Sequence, residues 1–423
     1  MVVVSILLQI FIIFVAAKLA GEIFGRLRQS PVIGEILVGM LLGPYALGII
    51  GQPSPQLVEM FHGDAVAARE AVTLIFEVLA EIGVIILLFF VGLETRVSDI
   101  LKVGGRAGLV ALLGVTVPFV LGFALLTALG RPALQGVFLG AAMVATSVGI
   151  TARVLADLGF LATLEARIIL GAAVIDDVLG MLILAIVSGL GAGNASYLGL
   201  AILAVQAVAF VVFVVLVGTR AVRRYSAKLE RLQIRNAPLV VSLIVCLGFA
   251  TLAGYIGLAA IIGAFLAGMV FAESREQYDL EHQAQPLYDF LVPFFFVVIG
   301  SQVDLSVFLD SSTLGLALVV TGLAILGKLV GCGLGGLGLG WRSVGIVGVG
   351  MVPRGEVGLI VAGVGRALDA IPNDLFSIVV VMSLLTTLIA PPLLKALYSG
   401  YPLPPAPVKA RDLAEQDQVL GEL

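Results

Sequence analysis

The sequence is short of charged residues, cysteines and histidines. Charged side chains make up 12% of the 423 residues, against about 25% in typical soluble proteins. So few charges cannot cover a water-facing surface, which excludes a soluble multi-domain enzyme and a disordered chain. Two cysteines and two histidines exclude a disulfide scaffold and a His-based metal site. No P-loop or HExxH motif occurs, so we expect a protein that is not an enzyme, needs no cofactor and binds no nucleic acid.

Apolar residues are abundant instead, at 60% of the chain. They form thirteen segments of about 20 residues, the length that a helix needs to cross a hydrocarbon core of ~30 Å. The sequence therefore predicts an all-α polytopic membrane protein whose membrane domain covers residues 1–400. The segments lie near residues 3–25, 31–50, 71–93, 106–129, 132–153, 166–189, 196–219, 237–254, 257–272, 286–301, 313–337, 343–365 and 373–397.

The distribution of Lys and Arg predicts the orientation in the membrane. Thirteen spans place the two termini on opposite sides, and Lys and Arg accumulate in cytoplasmic loops. Of the 24 Lys and Arg residues, three lie within spans and three in one set of alternate loops, which leaves 18 for the other set. We therefore expect the N-terminus outside and the C-terminus inside, with residues 401–423 as a short cytoplasmic tail.

Three segments of the first half resemble segments of the second half. In the first of these matches, the second copy lies seven spans after the first copy. An odd number of spans between two copies inverts the second copy relative to the membrane. Inverted repeats of this kind are typical of secondary transporters, whose substrate site lies near the membrane midplane. The matches are VIGEILVGM (32–40) with IIGAFLAGM (261–269), FVGLET (90–95) with VIGSQV (298–303), and TSVGI (146–150) with GEVGL (355–359).

These matches divide the membrane domain into a first half (1–190), a linking helix (196–219) and a second half (237–397). Glycine and proline interrupt apolar segments at corresponding places of the two halves, in TSVGIT at 146–151 and in MVPRGEVG at 351–358. The sequence therefore predicts two discontinuous helices that cross within the membrane.

Charged residues within the spans indicate the functional site, because each costs ~2.5–3.5 kcal/mol or more at the bilayer centre. The strongest signals are Asp176 and Asp177, adjacent in the sixth span, and Lys328 in the eleventh. One lysine cannot compensate two carboxylates, so one carboxylate must take up a proton or a cation. We predict Asp177 as the principal carrier of Na⁺ or H⁺, with Asp176 sharing the cation and pairing with Lys328. Spacing alone also allows the two aspartates to exchange roles.

The two helix breaks carry fixed charges and hydroxyl groups. Half-helix N-termini are partially positive and C-termini partially negative, so a crossing favours a fixed anion and a fixed cation nearby. Glu356 and Arg354 would supply them, either as a structural pair or as direct ligands of the cation. Thr146 and Ser147, at the first break, are candidate oxygen ligands.

Two further carboxylates, Glu77 and Glu81, lie in the third span. Their spacing of four residues places them on one face of a helix. They either line a funnel that attracts cations or face water or a subunit contact.

Six motifs together resemble the second cation:proton antiporter family, and within it the NapA-type bacterial Na⁺/H⁺ antiporters. The resemblance implies a homodimer in the bacterial inner membrane, active in pH homeostasis, in which a core bundle (106–189 and 313–397) moves against a dimer bundle (3–93 and 237–301). It also implies that Asp177 binds the ion, that Asp176 pairs with Lys328, and that Ser147 and Glu356 lie at the helix crossing. The motifs are VIGEILVGMLLGP, LLFFVGLETR, VATSVGITARVL, RIILGAAVIDDVLG, AILGKLVG and VPRGEVGLIVA.

The expected function is therefore exchange of Na⁺ or Li⁺ for H⁺ by elevator-type alternating access. A site that carries two protons against one cation would move net charge. A K⁺/H⁺ antiporter and a cation channel of the same fold are the alternatives. Relatives that export K⁺ usually have Gln before the aspartate and an appended nucleotide-binding domain, whereas this sequence has Asp176 there and about two dozen residues after position 400.

Overall fold

The computed structural model describes residues 2–27, 29–95, 97–191, 197–222, 224, 234, 236–272, 278–303 and 311–402. The predicted tail from residue 403 onward lies outside these residues. So do most of residues 220–236, which connect the predicted seventh and eighth spans and contain six Lys and Arg residues. Within the described part of the chain the secondary structure is helical. The helices are α1 (Val2–Arg26), α2 (Pro31–Leu42), α3 (Pro55–Met60), α4 (Ala65–Leu93), α5 (Val97–Ala128), α6 (Ala133–Val144), α7 (Val148–Leu158), α8 (Leu164–Gly191), α9 (Tyr197–Phe213), α10 (Ala237–Tyr255), α11 (Ala260–Phe271), α12 (Leu280–Ser301), α13 (Ser311–Gly335), α14 (Trp341–Gly350), α15 (Glu356–Ala367) and α16 (Asn373–Tyr398).

The helices have the length and composition of membrane spans. Among the described residues, nine helical segments are long and apolar enough to cross a membrane, the discontinuous α6 and α7 counting as one. Shorter apolar helices lie at Pro31–Leu42, Ala260–Phe271 and Val357–Arg366. The prediction of an all-α polytopic membrane protein is confirmed, and the protein is integral to the membrane. The count of thirteen spans and the orientation stay predictions.

One predicted span is shorter than expected. The apolar segment near 31–50 forms a helix only from Pro31 to Leu42. Gly43 and Pro44 follow, and proline has no N–H group to continue the helical hydrogen bonds. Turns then occupy the remainder of the predicted span.

The helices pack in two groups. The aspartate bundle, as we call it, contains α5 to α8 and α13 to α16, with α5 against α6, α8 and α13, and α16 against α13, α14 and α15. The scaffold bundle contains α1, α2, α4, α10, α11 and α12, with α4 against α11 and α12, and α2 against α1 and α12. Helix α7 contacts both α4 and α2. This helix therefore lies where the two bundles meet.

Two glycine pairs bring the helices of the scaffold bundle into backbone contact. A Cβ atom on Gly39 of α2 would collide with the carbonyl oxygen of Val297, beside Gly300 of α12. A Cβ atom on Gly92 of α4 would collide in the same way with α11, beside Gly268. The sequence match aligns Gly39 with Gly268 and Gly92 with Gly300. Each half of the chain thus supplies one glycine to each pair.

Candidate functional site

The centre of α8 carries a buried ion pair with α13. Lys328 Nζ donates to Asp176 Oδ1 at 3.2 Å and to Oδ2 at 3.4 Å. Both side chains are 0% exposed. A buried ion pair compensates its desolvation only when both charges are present, so neither partner can change its charge alone without a large cost.

Asp177 faces a different direction from Asp176, because successive residues of a helix lie about 100° apart. It is 8% exposed and lines a cavity of about 10 Å³, which is close to the space of a single water molecule. Apart from Asp177 the lining is apolar and comes from both bundles. The other lining residues are Leu88 of α4, Val148 of α7, Leu170 and Val174 of α8, and Ile261, Ile262 and Phe265 of α11.

The two discontinuous helices cross beside this site. Helix α6 ends at Val144 and α7 begins at Val148, whereas α14 ends at Gly350 and α15 begins at Glu356. The non-helical segments between them are joined by a backbone hydrogen bond from Ser147 N to Pro353 O at 2.8 Å. Because Val148 also lines the small cavity, the first turn of α7 lies next to Asp177.

Hydroxyl groups at and just after the first break donate to carbonyl groups where α14 ends and the second break begins. Thr146 Oγ1 donates to Met351 O at 3.3 Å, and Thr151 Oγ1 donates to Gly350 O at 2.6 Å. Ser147 Oγ is buried and has no hydrogen-bond partner among the described residues. A Cβ atom on residue 355 would lie 2.7 Å from this oxygen, so the close approach of the two breaks requires glycine at that position.

The charged residues of the second break occupy the positions that helix ends favour. Arg354 is 1% exposed and donates to the carbonyl oxygens of Met351 and Val352, both at 3.1 Å. These carbonyls follow the C-terminal end of α14, where partial negative charge accumulates. Glu356 is the first residue of α15, where the helix end is partially positive.

A cavity of about 600 Å³ leads toward the small cavity from one surface. Glu77 and Glu81, both exposed, lie on its wall together with Met181 of α8 and Gln302 at the end of α12. Ile261 lines both cavities. The side chain of Ile261 therefore lies at the boundary between the large cavity and the small cavity that contains Asp177.

A second group of buried charges was not identified as a site from the sequence. Arg153 was counted among the cytoplasmic loop charges, but it lies within α7 and is 8% exposed. Its Nε donates to both carboxylate oxygens of Asp157, at 2.9 and 3.0 Å. The four-residue spacing of Arg153 and Asp157 was the available signal, since it is typical of an ion pair along a helix.

Glu165, near the start of α8, is another buried carboxylate that the sequence did not single out. It is 3% exposed, and it accepts hydrogen bonds from Ser343 Oγ at 2.6 Å and from Tyr401 Oη at 2.7 Å. The hydrogen bond from Tyr401 raises the pKa of the Tyr401 phenol. Ionisation of the phenol would break this bond and place a second negative charge beside Glu165. Tyr401 follows α16 and Ser343 belongs to α14. Glu165 therefore joins elements of the aspartate bundle to one another.

Comparison with known proteins identifies the family of the chain. The transmembrane sodium/hydrogen exchanger family matches residues 10–399. The chain is 38% identical to the high-affinity Na(+)/H(+) antiporter NhaS3 of Synechocystis, over 97% of this chain and 93% of the relative. It is 35% identical to the Na(+)/H(+)-K(+) antiporter GerN of Bacillus cereus, over 92% and 95%. The solved structure of the antiporter MjNhaP1 from Methanocaldococcus jannaschii has the same fold, with a TM-score of 0.62 at 20% identity over 95% of this chain and 98% of that one. The chain therefore belongs to the sodium/hydrogen exchanger family.

Proposed function

We propose that the protein is an antiporter that exchanges Na⁺, or Li⁺, for H⁺ across the membrane. The observation that carries this proposal is the placement of Asp177, a buried carboxylate that lines a small cavity beside the helix crossing and next to the Asp176–Lys328 pair. Relatives that match almost the whole chain are named Na(+)/H(+) antiporters, which supports the same activity.

Competition at Asp177 explains how one site serves both substrates. Carboxylate oxygens are hard ligands that suit Na⁺, and the same oxygens bind a proton when the cation leaves. An amide or hydroxyl could not do both, because neither carries the charge that neutralises the cation. Ser147 Oγ, buried without a partner among the described residues, is a further oxygen that could complete the shell of the cation.

The pairing of Lys328 with Asp176 supports an exchange that moves net charge. When Na⁺ binds to both aspartates, it replaces the ammonium at Asp176, and Lys328 loses its proton. When Na⁺ leaves, Asp177 takes one proton and Lys328 takes another. The two carboxylates with one Na⁺ carry a charge of −1, and the two carboxylates with one proton and one ammonium carry 0. One net charge therefore crosses the membrane in each cycle.

Movement of the aspartate bundle against the scaffold bundle would deliver the site to the two faces in turn. The lining that α4 and α11 contribute around Asp177 is apolar, so the movement would slide these side chains past the aspartate bundle. The glycine contacts within the scaffold bundle suit its role as the fixed part. We further propose that two copies form a homodimer in the lipid bilayer of the bacterial plasma membrane.

Exchange in proteoliposomes tests the function and its alternatives. The purified protein is reconstituted, a pH gradient is imposed, and Na⁺, Li⁺ and K⁺ are added in turn while internal pH is recorded. We expect Na⁺ and Li⁺ to collapse the gradient and K⁺ to act weakly. A stronger response to K⁺ would identify a K⁺/H⁺ antiporter, and cation flux without any counter-movement of protons would identify a channel.

A further inference from the structure

A cluster of polar side chains joins the two bundles at one end of the molecule. It consists of Glu35 of α2, Arg153 and Asp157 of α7, and Tyr288 of α12. The guanidinium carbon of Arg153 lies 4.9 Å from the centre of the Tyr288 ring, within the range of a cation–π contact. Glu35 and Arg153 attract each other electrostatically. Arg153 therefore has its ion-pair partner on its own helix and two further partners on the scaffold bundle.

Separation of the two bundles would expose the side chains that face each other across this interface. Glu35 is 2% exposed, and its Oε2 has no hydrogen-bond partner among the described residues. Arg153 Nη1 is buried and equally without a partner there. Lys18, the other cation that interacts with Glu35, is exposed. The charge on Glu35 thus depends mainly on Arg153 for compensation in a buried environment.

The cluster and the large cavity are separated along the helices that they share. On α4, Glu81 lines the cavity, whereas Phe90 packs on Tyr288 with ring centres 4.7 Å apart. Those nine residues correspond to about 14 Å along the helix. On α12, Gln302 lines the cavity and Tyr288 lies about 21 Å away along the axis. The interface is therefore open at the large cavity, and the cluster joins the two bundles farther along the same helices.

We propose that Glu35, Arg153 and Tyr288 form a lock that keeps the interface closed at this end while the cavity is open at the other. The proposal rests on the alternating access proposed above. When the aspartate bundle moves, α7 carries Arg153 and Asp157 away from Glu35 and Tyr288. The ion pair within α7 persists during this movement, whereas the attraction to Glu35 of α2 and the ring contact with Tyr288 of α12 are lost. Weakening those contacts should therefore shift the population toward the state in which the cavity is closed.

Cysteine labelling at the cavity measures this population without any ion exchange. The reporter is Met181→Cys, on the wall of the cavity. The native cysteines, both buried, are replaced by Cys246→Ala and Cys332→Ala, so that only the reporter can be labelled. A membrane-impermeant maleimide is applied on the side to which the cavity opens. Glu35→Gln and Tyr288→Leu are the test variants. The matched controls are Glu165→Gln, a buried carboxylate whose partners lie within the aspartate bundle, and Tyr288→Phe, which keeps the ring and removes a hydroxyl that has no partner among the described residues.

We expect the ratio of open-cavity to closed-cavity protein, obtained from the labelling rate relative to that of the unfolded protein, to fall about tenfold in Glu35→Gln and in Tyr288→Leu, the factor that corresponds to losing about 1.4 kcal/mol of interaction with a charged group. Both controls should label like the parent. An open-to-closed ratio within about twofold of that of the parent in both test variants, with folding verified by gel filtration, would overturn the lock. If Glu35→Gln does not fold, the comparison of Tyr288→Leu with its control Tyr288→Phe decides the outcome. Cation exchange is scored separately in proteoliposomes, so failure of the lock leaves the antiporter proposal to its own test.

Discussion

Lys328 and Asp176 are 152 positions apart in the sequence and meet with 3.2 Å between Nζ and Oδ1, both closed to solvent. Removing one partner of such a pair leaves an isolated buried charge, at a typical cost of about 3–5 kcal/mol. Asp177, the next residue, lines a cavity instead. We therefore expect substitutions of the two aspartates to differ, with the larger loss of stability at Asp176 and the larger loss of ion binding at Asp177.

Asp177→Asn should abolish coupled exchange with little change in melting temperature, because an amide neither holds the exchanged proton nor neutralises the cation. Asp176→Asn should instead lower the melting temperature, since it leaves Lys328 buried without its carboxylate. Proteoliposome exchange and thermal unfolding in detergent measure the two effects. Na⁺-driven proton movement that survives in Asp177→Asn would contradict its assignment as the carrier.

Lys328→Gln should convert the exchange to an electrically neutral one. Without an ammonium that gains and loses a proton, one proton is left to balance one cation. Currents on a solid-supported membrane should be present in the wild type and absent in the variant, while a pH-sensitive dye still reports exchange in both. A wild type that exchanges actively without any current would show that Lys328 is only a structural partner of Asp176.

A disulfide between α4 and α7 should stop transport reversibly. A Cβ atom on residue 149 would lie 3.4 Å from Val84 Cγ2, which brings the two β-carbons near enough for a disulfide to be engineered between the helices. Val84→Cys and Gly149→Cys are therefore combined with Cys246→Ala and Cys332→Ala. Oxidation should block exchange, reduction should restore it, and each single cysteine should be insensitive to oxidant. Full exchange in a completely cross-linked sample would exclude movement between these helices.

Gly92→Ala should destabilise the protein by about 1–3 kcal/mol, because the added methyl group forces α4 away from α11. Gly248→Ala is the matched control. Gly248 lies within α10, and a Cβ atom there would meet nothing within 4 Å, so alanine should stabilise the helix by about 0.5–1 kcal/mol. Thermal unfolding of both variants in one detergent tests the pair. Equal melting temperatures would contradict the glycine contact.

The helical spans and the aspartate site could be predicted because each rests on one strong physical preference. Long apolar segments have no stable alternative to membrane helices in this composition, and a charge such as Asp177 within one is costly enough to require a function. The breaks at 145–147 and 351–355 were detectable for a similar reason, since Thr146 and Ser147 precede Gly149 at the first and Pro353 and Gly355 lie in the second.

The cluster around Arg153 could not be predicted, because its members come from three helices that are distant in sequence. Arg153 follows the first break, and it was assigned to a loop because the apolar run ends there. The structure shows that α7 continues to Leu158, which places Arg153 within the helix. The partners Glu35 and Tyr288 depend on how the two bundles pack, and periodicity along one helix carries no information on that packing.

The boundary at Ile261 also determines how the transmembrane voltage acts on the site. An aqueous cavity conducts ions, so little of the voltage falls along its length, and nearly all of it falls across the closed remainder of the protein. Asp177 then lies at almost the electrical position of the solution that the cavity meets. Ion binding from that solution should be nearly independent of voltage. A displacement of the loaded site past the closed region changes its electrical position by almost the full membrane voltage, however short the physical distance.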